Sequence, residues 1–545
     1  MAQFSITSLA IAFLAVIITI ALTRARRAPK EPPPEPDYES YIAEPTKHLR
    51  EQLKSALPDA VVSPKDTASY RAALNSHWAQ QECEAAPACF VQPHDAQQLG
   101  KTIAILKEEL DKRVREAPGG KIGQALFAIR SGGHSHVPGA STVKGGVVID
   151  LSRLDEISVS DDGNLITYGA GLRYVTIFRA LEKRGLAVVG ARNESVGVGG
   201  FGTGSGYSFY SPQYGFAPSN IAKYEIVLAS GAIVTASATE NADLWKAVKS
   251  GSNNFGIVTQ FTARTIPATK VWSGFTYHLY NQADKALTAF HTYVNRVTVK
   301  GPDSLYDERA CGPITAFAYV QPLNMRLVGV HMAHTKPTTD GKWPEAWKSS
   351  HSHLWRLWSS CKVETHEGAS VQLIGSNPNG KRQCQATITI KNDAATLIAL
   401  RGIWREVTSD PRMRKIKNLG FSLVLQPLLQ SWATKGDPNV MGLDPEGDPL
   451  VIVLLCAMWT EAVDDVVAEL LTRGALAKME EEAERKGTGH RYRFINYAGG
   501  WQDVMKSYGE ENLEFMRGVS ARVDPGGLFQ RGCSGGFKLG MEYTE

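Results

Sequence analysis

Eleven consecutive residues, Val196-Gly197-Val198-Gly199-Gly200-Phe201-Gly202-Thr203-Gly204-Ser205-Gly206, hold six glycines and no charge. So dense a run resists long helices and regular strands, because glycine loses more backbone freedom than any other residue on entering either. It offers instead bare main chain whose successive N–H groups can hold an anion such as a pyrophosphate. Gly197, Gly199 and Gly202 satisfy G-x-G-x-x-G, and Glu225 lies near the distance expected of a ribose-binding acid. The context opposes a Rossmann turn, which needs a strand directly before the first glycine and a helix directly after the last. Here the apolar Ala187 to Val189 is set apart by Gly190-Ala191-Arg192-Asn193-Glu194-Ser195, and no helix former follows Gly202 for several residues.

Two more elements of this kind flank the cluster. Arg130-Ser131-Gly132-Gly133-His134-Ser135 closes the strand-like run Leu126 to Arg130, and its glycines let a large planar ligand approach the backbone. Taken alone, the motif is equally a turn whose His134 hydrogen-bonds in the core. Ser250-Gly251-Ser252-Asn253-Asn254-Phe255-Gly256-Ile257-Val258-Thr259 sets glycine and small polar residues ahead of a strand, which by itself describes an ordinary hairpin turn. Three such elements, all on strand ends within about 130 residues, are better explained by one extended cofactor cleft.

Charge and cysteine usage narrow the partners. The 545 residues, 43% of them hydrophobic, suffice for more than one domain. With 59 basic and 55 acidic side chains the net charge is +4, and no concentrated basic field marks a nucleic-acid surface. Cys83, Cys89, Cys311, Cys361, Cys384, Cys456 and Cys533 form no paired C-x-x-C set, so no metal site is expected. Cys83 and Cys89 alone are near enough in sequence to bridge, in an oxidising compartment.

From Phe4 to Leu22 the chain is apolar and uncharged, which reads as a single transmembrane anchor. The alternative is a cleaved secretory signal and a secreted protein, but Met1-Ala-Gln-Phe-Ser lacks the basic leading region of such signals. Arg24, Arg26, Arg27 and Lys30 follow the apolar run, so the positive-inside bias places the catalytic bulk in the cytosol, on a membrane such as the endoplasmic reticulum. Residues 28–37 are a proline-rich, extended spacer. Beyond it, Phe90 to Gln92, Leu126 to Arg130, Val147 to Leu151, Leu165 to Tyr168 and Lys223 to Ala229 read as strands, while Ala96 to Leu110 and Tyr174 to Arg184 have helical spacing. A second α+β region shows strand-like Thr387 to Ile390 and Leu450 to Trp459, with a long helix over Asp464 to Arg485.

The order R-S-G-G-H, then V-G-V-G-G, then G-S-N-N-F-G-I-V-T resembles the berberine bridge enzyme-like family of oxygen-dependent FAD-linked oxidoreductases, within the vanillyl-alcohol oxidase and p-cresol methylhydroxylase group. Phe494-Ile495-Asn496-Tyr497 is similar to that family's Y-x-N-Y element, and Ser507 to Asn512 with Asp524 to Phe529 to its closing segment. The resemblance implies an α+β fold: a two-lobed FAD-binding domain from residues 82–268, completed by 481–540, with a substrate domain inserted at 269–480. It implies that His134 is joined to the flavin 8α-methyl carbon, and that the cofactor lies against Arg130, Ser131, Gly132, Gly133, Ser135, Asn193, Val196, Gly197, Gly199, Gly200, Gly204, Gly206, Gly256, Ile257, Val258 and Asn496. Asn193 stands where doubly linked members carry a cysteine, and an amide is no thiolate nucleophile, so a single covalent link is expected.

The implied reaction is a two-electron oxidation of a small organic, secondary-metabolite substrate, with hydride passing to flavin N5 and molecular oxygen as terminal acceptor. Tyr497 is the candidate base, against a role as ring packing; Gln426 is read as structural rather than substrate-facing, and His136 equally as a supporting residue or a plain loop residue. The alternatives are a dehydrogenase using another acceptor, or a non-catalytic flavin-binding membrane scaffold.

Overall fold

The computed structural model describes residues 38–116, 125–268, 270–337, 342–373, 378–533 and 535–541. The anchor expected at Phe4–Leu22 and the spacer at 28–37 lie outside them. Among the described residues no helix is long and apolar enough to cross a membrane.

Three sheets organise the chain. β1 (Val61–Val62), β2 (Cys89–Val91), β3 (Phe127–Arg130) and β4 (Val147–Asp150) lie in the order β1-β2-β4-β3, with β2 and β3 both parallel to β4. Parallel strands need a crossover, and the helix Ala96–Glu116 lies between β2 and β3, burying Leu99, Ile103, Leu106 and Leu110 on one face. β1 pairs with β2, and Leu49, Leu53 and Leu57 share a core with Cys89 and Val91, so this lobe starts well before residue 82.

The second sheet is antiparallel: β5 (Ile157–Val159), β6 (Leu165–Gly169), β8 (Ile221–Val227), β9 (Ile233–Ser237) and β10 (Ile257–Pro267) run β5-β6-β10-β8-β9, and β7 (Leu186–Val188) pairs with the far end of β10. The C-terminal segment returns to these lobes, where helix Glu510–Val523 packs on helix Ala242–Gly251 and Leu126 N donates to Gly532 O at 2.7 Å.

The third sheet has nine antiparallel strands. β11 (Val271–Leu279), β12 (Ala310–Val320), β13 (Met325–His334), β14 (Trp358–Ser359), β15 (Lys362–Glu364), β16 (Arg382–Lys391), β17 (Gly420–Leu428), β18 (Leu450–Trp459) and β19 (Gly489–His490) follow the order β14-β11-β13-β12-β17-β18-β16-β19, with β15 also on β11. Helices Ala283–Arg296, Ala394–Val407 and Asp465–Arg485 cover one face; Trp404, for example, meets Phe317 of β12. Asp393 caps the second of these by accepting from Thr396 N at 2.7 Å, satisfying a donor that the first helical turn leaves free. The opposite face looks toward the other two sheets.

Two features bear on the sequence reading. The glycine cluster contains a helical turn, Val198–Gly202, although β7 ends at Val188, so the separation that opposes a Rossmann turn is real. Cys83 and Cys89 do not bridge: all seven cysteines are free, and Cys83 Sγ instead donates to His77 O.

Candidate active site

The three glycine elements come together along a single trench of about 1220 Å³, including the part open to solvent. One wall is the loop after β3, with Ser131, Gly132, Gly133, His134 and Ser135; the facing wall holds Val196, Gly197, Gly199 and Gly200. Gly256, Ile257 and Val258 at the start of β10, together with Asn496, complete it. The first two walls touch main chain to main chain at Gly132 and Gly197, where a Cβ on Gly197 would lie 2.3 Å from Gly132 N. Ser131 Oγ fastens them by donating to Ala170 O at 2.6 Å and accepting from Gly199 N at 3.0 Å.

The trench fits a dinucleotide such as FAD. Its lining includes no carboxylate, so a pyrophosphate meets no repelling charge there. Gly200 is exposed on the trench wall, and a Cβ there would meet nothing within 4 Å.

His134 sits on the lip of this trench, stacked on Trp78 with ring centroids 4.6 Å apart and planes 7° from parallel. Burial, with the Arg173 guanidinium nearby, lowers its pKa from 6.5 to about 4, so the imidazole is neutral at physiological pH. Its tautomer follows from the neighbours. Ser195 Oγ donates to Asn193 Oδ1 at 2.7 Å, so it accepts from His134 Nε2–H at 3.1 Å, and Nδ1 is left with its lone pair. Arg173 holds Ser195 from behind by donating to its carbonyl, and also reaches Ser76 O at 3.1 Å.

Four residues expected against the cofactor lie elsewhere. Arg130 turns away from the trench to pair with Asp150, at 2.5 Å, and with Ser76 Oγ, at 2.6 Å, because its buried guanidinium requires a carboxylate and the end of β4 supplies one. Asn193 acts on His134 through Ser195. Gly204 and Gly206 flank the loop that grips Asn496, whose Oδ1 accepts from Ser205 N and Gly206 N at 3.0 and 3.2 Å. Glu225 accepts from Thr259 Oγ1 across the sheet at 2.6 Å, which removes it as a ribose ligand.

Several contributors lie outside the residues expected against the cofactor. Trp78 precedes the first motif by many residues, and Asn253, Gly536 and Phe537 close one end of the trench because Asn254 Nδ2 donates to Phe537 O at 3.0 Å. His136 is buried, lines the trench beside the backbones of Gln385 and Ala498, and has its pKa lowered to about 4 by burial; its Nε2 has no hydrogen-bond partner among the described residues. Arg192 is the largest omission. It donates from Nη1 to Gln426 Oε1 at 2.7 Å and from Nη2 to Tyr497 Oη at 2.9 Å, while its guanidinium carbon lies 4.3 Å from the Tyr207 ring centre. Gln426 therefore faces the first lobes, and Tyr497 stands beside the trench rather than on its wall.

Residues 87–237 match the family model described as an FAD binding domain. The chain is 30% identical over 471 residues to the FAD-dependent monooxygenase tpcD of Cochliobolus heterostrophus, covering 85% of this chain and 86% of that relative. Among solved structures, xylooligosaccharide oxidase from Myceliophthora thermophila C1 superposes with a TM-score of 0.69 at 19% identity, covering 91% of this chain and 99% of that one. Glucooligosaccharide oxidase from Acremonium strictum, described as carrying a 6-S-cysteinyl, 8α-N1-histidyl FAD, superposes with a TM-score of 0.63 at 17% identity, covering 86% and 94%.

Proposed function

The chain belongs to the berberine bridge enzyme-like, FAD-linked oxidoreductases, and from that membership we propose that it oxidises a small secondary-metabolite substrate using molecular oxygen, with its flavin held by one covalent bond to His134. The observation that carries the reading is a neutral imidazole whose Nδ1 keeps its lone pair, placed on the lip of a glycine-walled trench. Bound there, FAD supplies a two-electron acceptor that oxygen can regenerate.

The chain's own residues do the rest. Ser195 and Asn193 orient the His134 ring, and Trp78 holds it flat. The walls at Ser131–Ser135 and Val196–Gly200 hold the cofactor, and Asn496 ties the C-terminal segment to them. In this assignment residues 82–268, with the preceding helix Glu44–Ala56 and β1, and 481–540 form the cofactor unit and 269–480 the substrate unit, whose open sheet face roofs the reacting centre. Tyr497 is the proton acceptor in its phenolate form, which becomes the phenol on taking the substrate's proton; Arg192 donates to its oxygen and pairs a positive charge with that anion. Asn193 in place of a thiol limits the attachment to one link.

Denaturing electrophoresis tests the attachment. A fluorescent flavin band should survive in the parent and vanish in His134→Ala; a band that persists in the variant refutes the assignment. The apolar run Phe4–Leu22 supports a membrane anchor. Release of the full chain from membranes by alkaline carbonate would exclude it.

A further inference from the structure

The nine-stranded sheet presents two different faces. Odd-numbered positions of β17, such as Leu423 and Leu425, turn toward the covering helices, while Gln426 turns toward Arg192 and the first lobes. Strand register puts Val424, Ala316, Leu327, Tyr277, Leu454 and Cys456 on the Gln426 side, because residues directly opposite share a face. All six are uncharged and, apart from the more buried Leu454, they are only partly covered.

Gln385, Thr387 and Thr389 of β16 lie on the same side by register, so the face is uncharged with its apolar part on β11, β12, β13 and β17, and into it projects Arg192. Arg192 is 8% exposed, and its electrostatic partners are Tyr497, Cys311 and Tyr207, none of them a carboxylate. Two of the five N–H donors of its guanidinium are used, on a neutral amide and a phenol. Buried charges are ordinarily paired, and a guanidinium fork matches a carboxylate edge to edge. Beside it, Gln426 is 2% exposed and its Nε2, a buried donor, has no acceptor. The orientation of that amide is settled by Arg192, which occupies Oε1.

We infer that Arg192 and Gln426 Nε2 form a carboxylate-recognition site, so that the substrate is an organic acid whose remaining skeleton is apolar. The inference rests on the reading that this sheet face holds the substrate above the cofactor. The carboxylate accepts from free Arg192 N–H groups and from Gln426 Nε2, and the uncharged sheet positions receive the hydrocarbon part. Arg192 is thus a specificity-determining residue, and Tyr497, bonded to the same guanidinium, lies next to the anchored group.

Calorimetric titration of the full-length holoprotein with trans-cinnamate and with methyl cinnamate tests this, because it reads binding without using the flavin. The acid should bind roughly 30- to 100-fold more tightly than the ester, the scale of one charge-assisted contact. Arg192→Met should remove that preference, the acid losing at least about tenfold more affinity than the ester. Arg192→Lys should keep part of the preference, and Gln426→Leu should weaken acid binding more than ester binding. Equal binding of acid and ester by the parent, no binding of the acid, or an equal loss for both probes in Arg192→Met would overturn the proposal. A preference that survives in Arg192→Met assigns the guanidinium to Tyr497 alone and also overturns it. The oxidase reading fails by a different sign, a protein without flavin or one whose reduced flavin is not reoxidised in air.

Discussion

Gly197 and Gly200, three residues apart in the same turn, separate the architecture of the trench from its contents. A Cβ on Gly197 would lie 2.3 Å from Gly132 N and 2.4 Å from Gly132 Cα, main-chain atoms that cannot swing aside. Comfortable contact between carbons needs about 3.5 Å, so the two walls must part by roughly 1 Å. Gly197→Ala should therefore cost about 3 kcal/mol, at the upper end of ordinary overpacking, and lower Tm by roughly 3–5 °C. A Cβ on Gly200 meets nothing within 4 Å, and alanine is favoured over glycine inside a helical turn by about 0.5–1 kcal/mol. Gly200→Ala should leave the flavin-free protein as stable as the parent or slightly more so, yet bring flavin content down by about tenfold, because the new methyl enters space that the dinucleotide needs. Thermal unfolding of flavin-free protein and the flavin-to-protein absorbance ratio of the purified variants read the two effects separately. A Gly200→Ala protein with full flavin content would refute the placement of the cofactor. A Gly197→Ala protein as stable as the parent would refute the wall contact.

Two further outcomes concern stability. The Arg130–Asp150 pair, with side chains 4% and 0% exposed, holds the ends of β3 and β4, and Asp150→Ala should cost about 3–5 kcal/mol by leaving a buried guanidinium unpaired; urea unfolding with a loss under about 1 kcal/mol would show that the pair is dispensable. Burial lowers His134 and His136 to about 4 and His331, His351 and His366 to about 3, so between pH 6.5 and 5 the unfolded chain binds protons at these histidines that the native protein does not. Stability present above pH 6.5 should fall steadily as pH drops through that window, and a urea midpoint that stays flat from pH 6.5 to 5 would contradict the buried neutral imidazoles.

The first two sheets were largely legible in the sequence, because β3, β4 and β6 are short apolar runs punctuated by glycine or charge, and the helix Ala96–Glu116 repeats its buried leucines and isoleucines at helical spacing. The third sheet was only half legible. β18 stands out as a continuous apolar run, whereas β11, β12 and β13 carry no comparable signal. Their alternation is blurred because the face that looks toward the trench is itself apolar: Tyr277 and Leu327 stand where an exposed sheet would carry polar side chains. Arg130 misled for a related reason. Its place in the motif suggests the cofactor, whereas the need to neutralise a buried cation turned it toward Asp150.

By itself the sequence determined where bare backbone occurs, that a histidine follows one such stretch, and that Asn193 shortly precedes another. These are local properties, carried by residue type and short spacing. Only the tertiary structure decided the company those residues keep. Ser195 selects the tautomer of His134 from 61 positions away, and Arg192 meets Gln426 and Tyr497 across 234 and 305 positions. No periodicity or motif encodes such contacts. They exist because a sheet inserted between two halves of a cofactor lobe folds back over it, and because a buried guanidinium takes whichever acceptors that folding brings within reach.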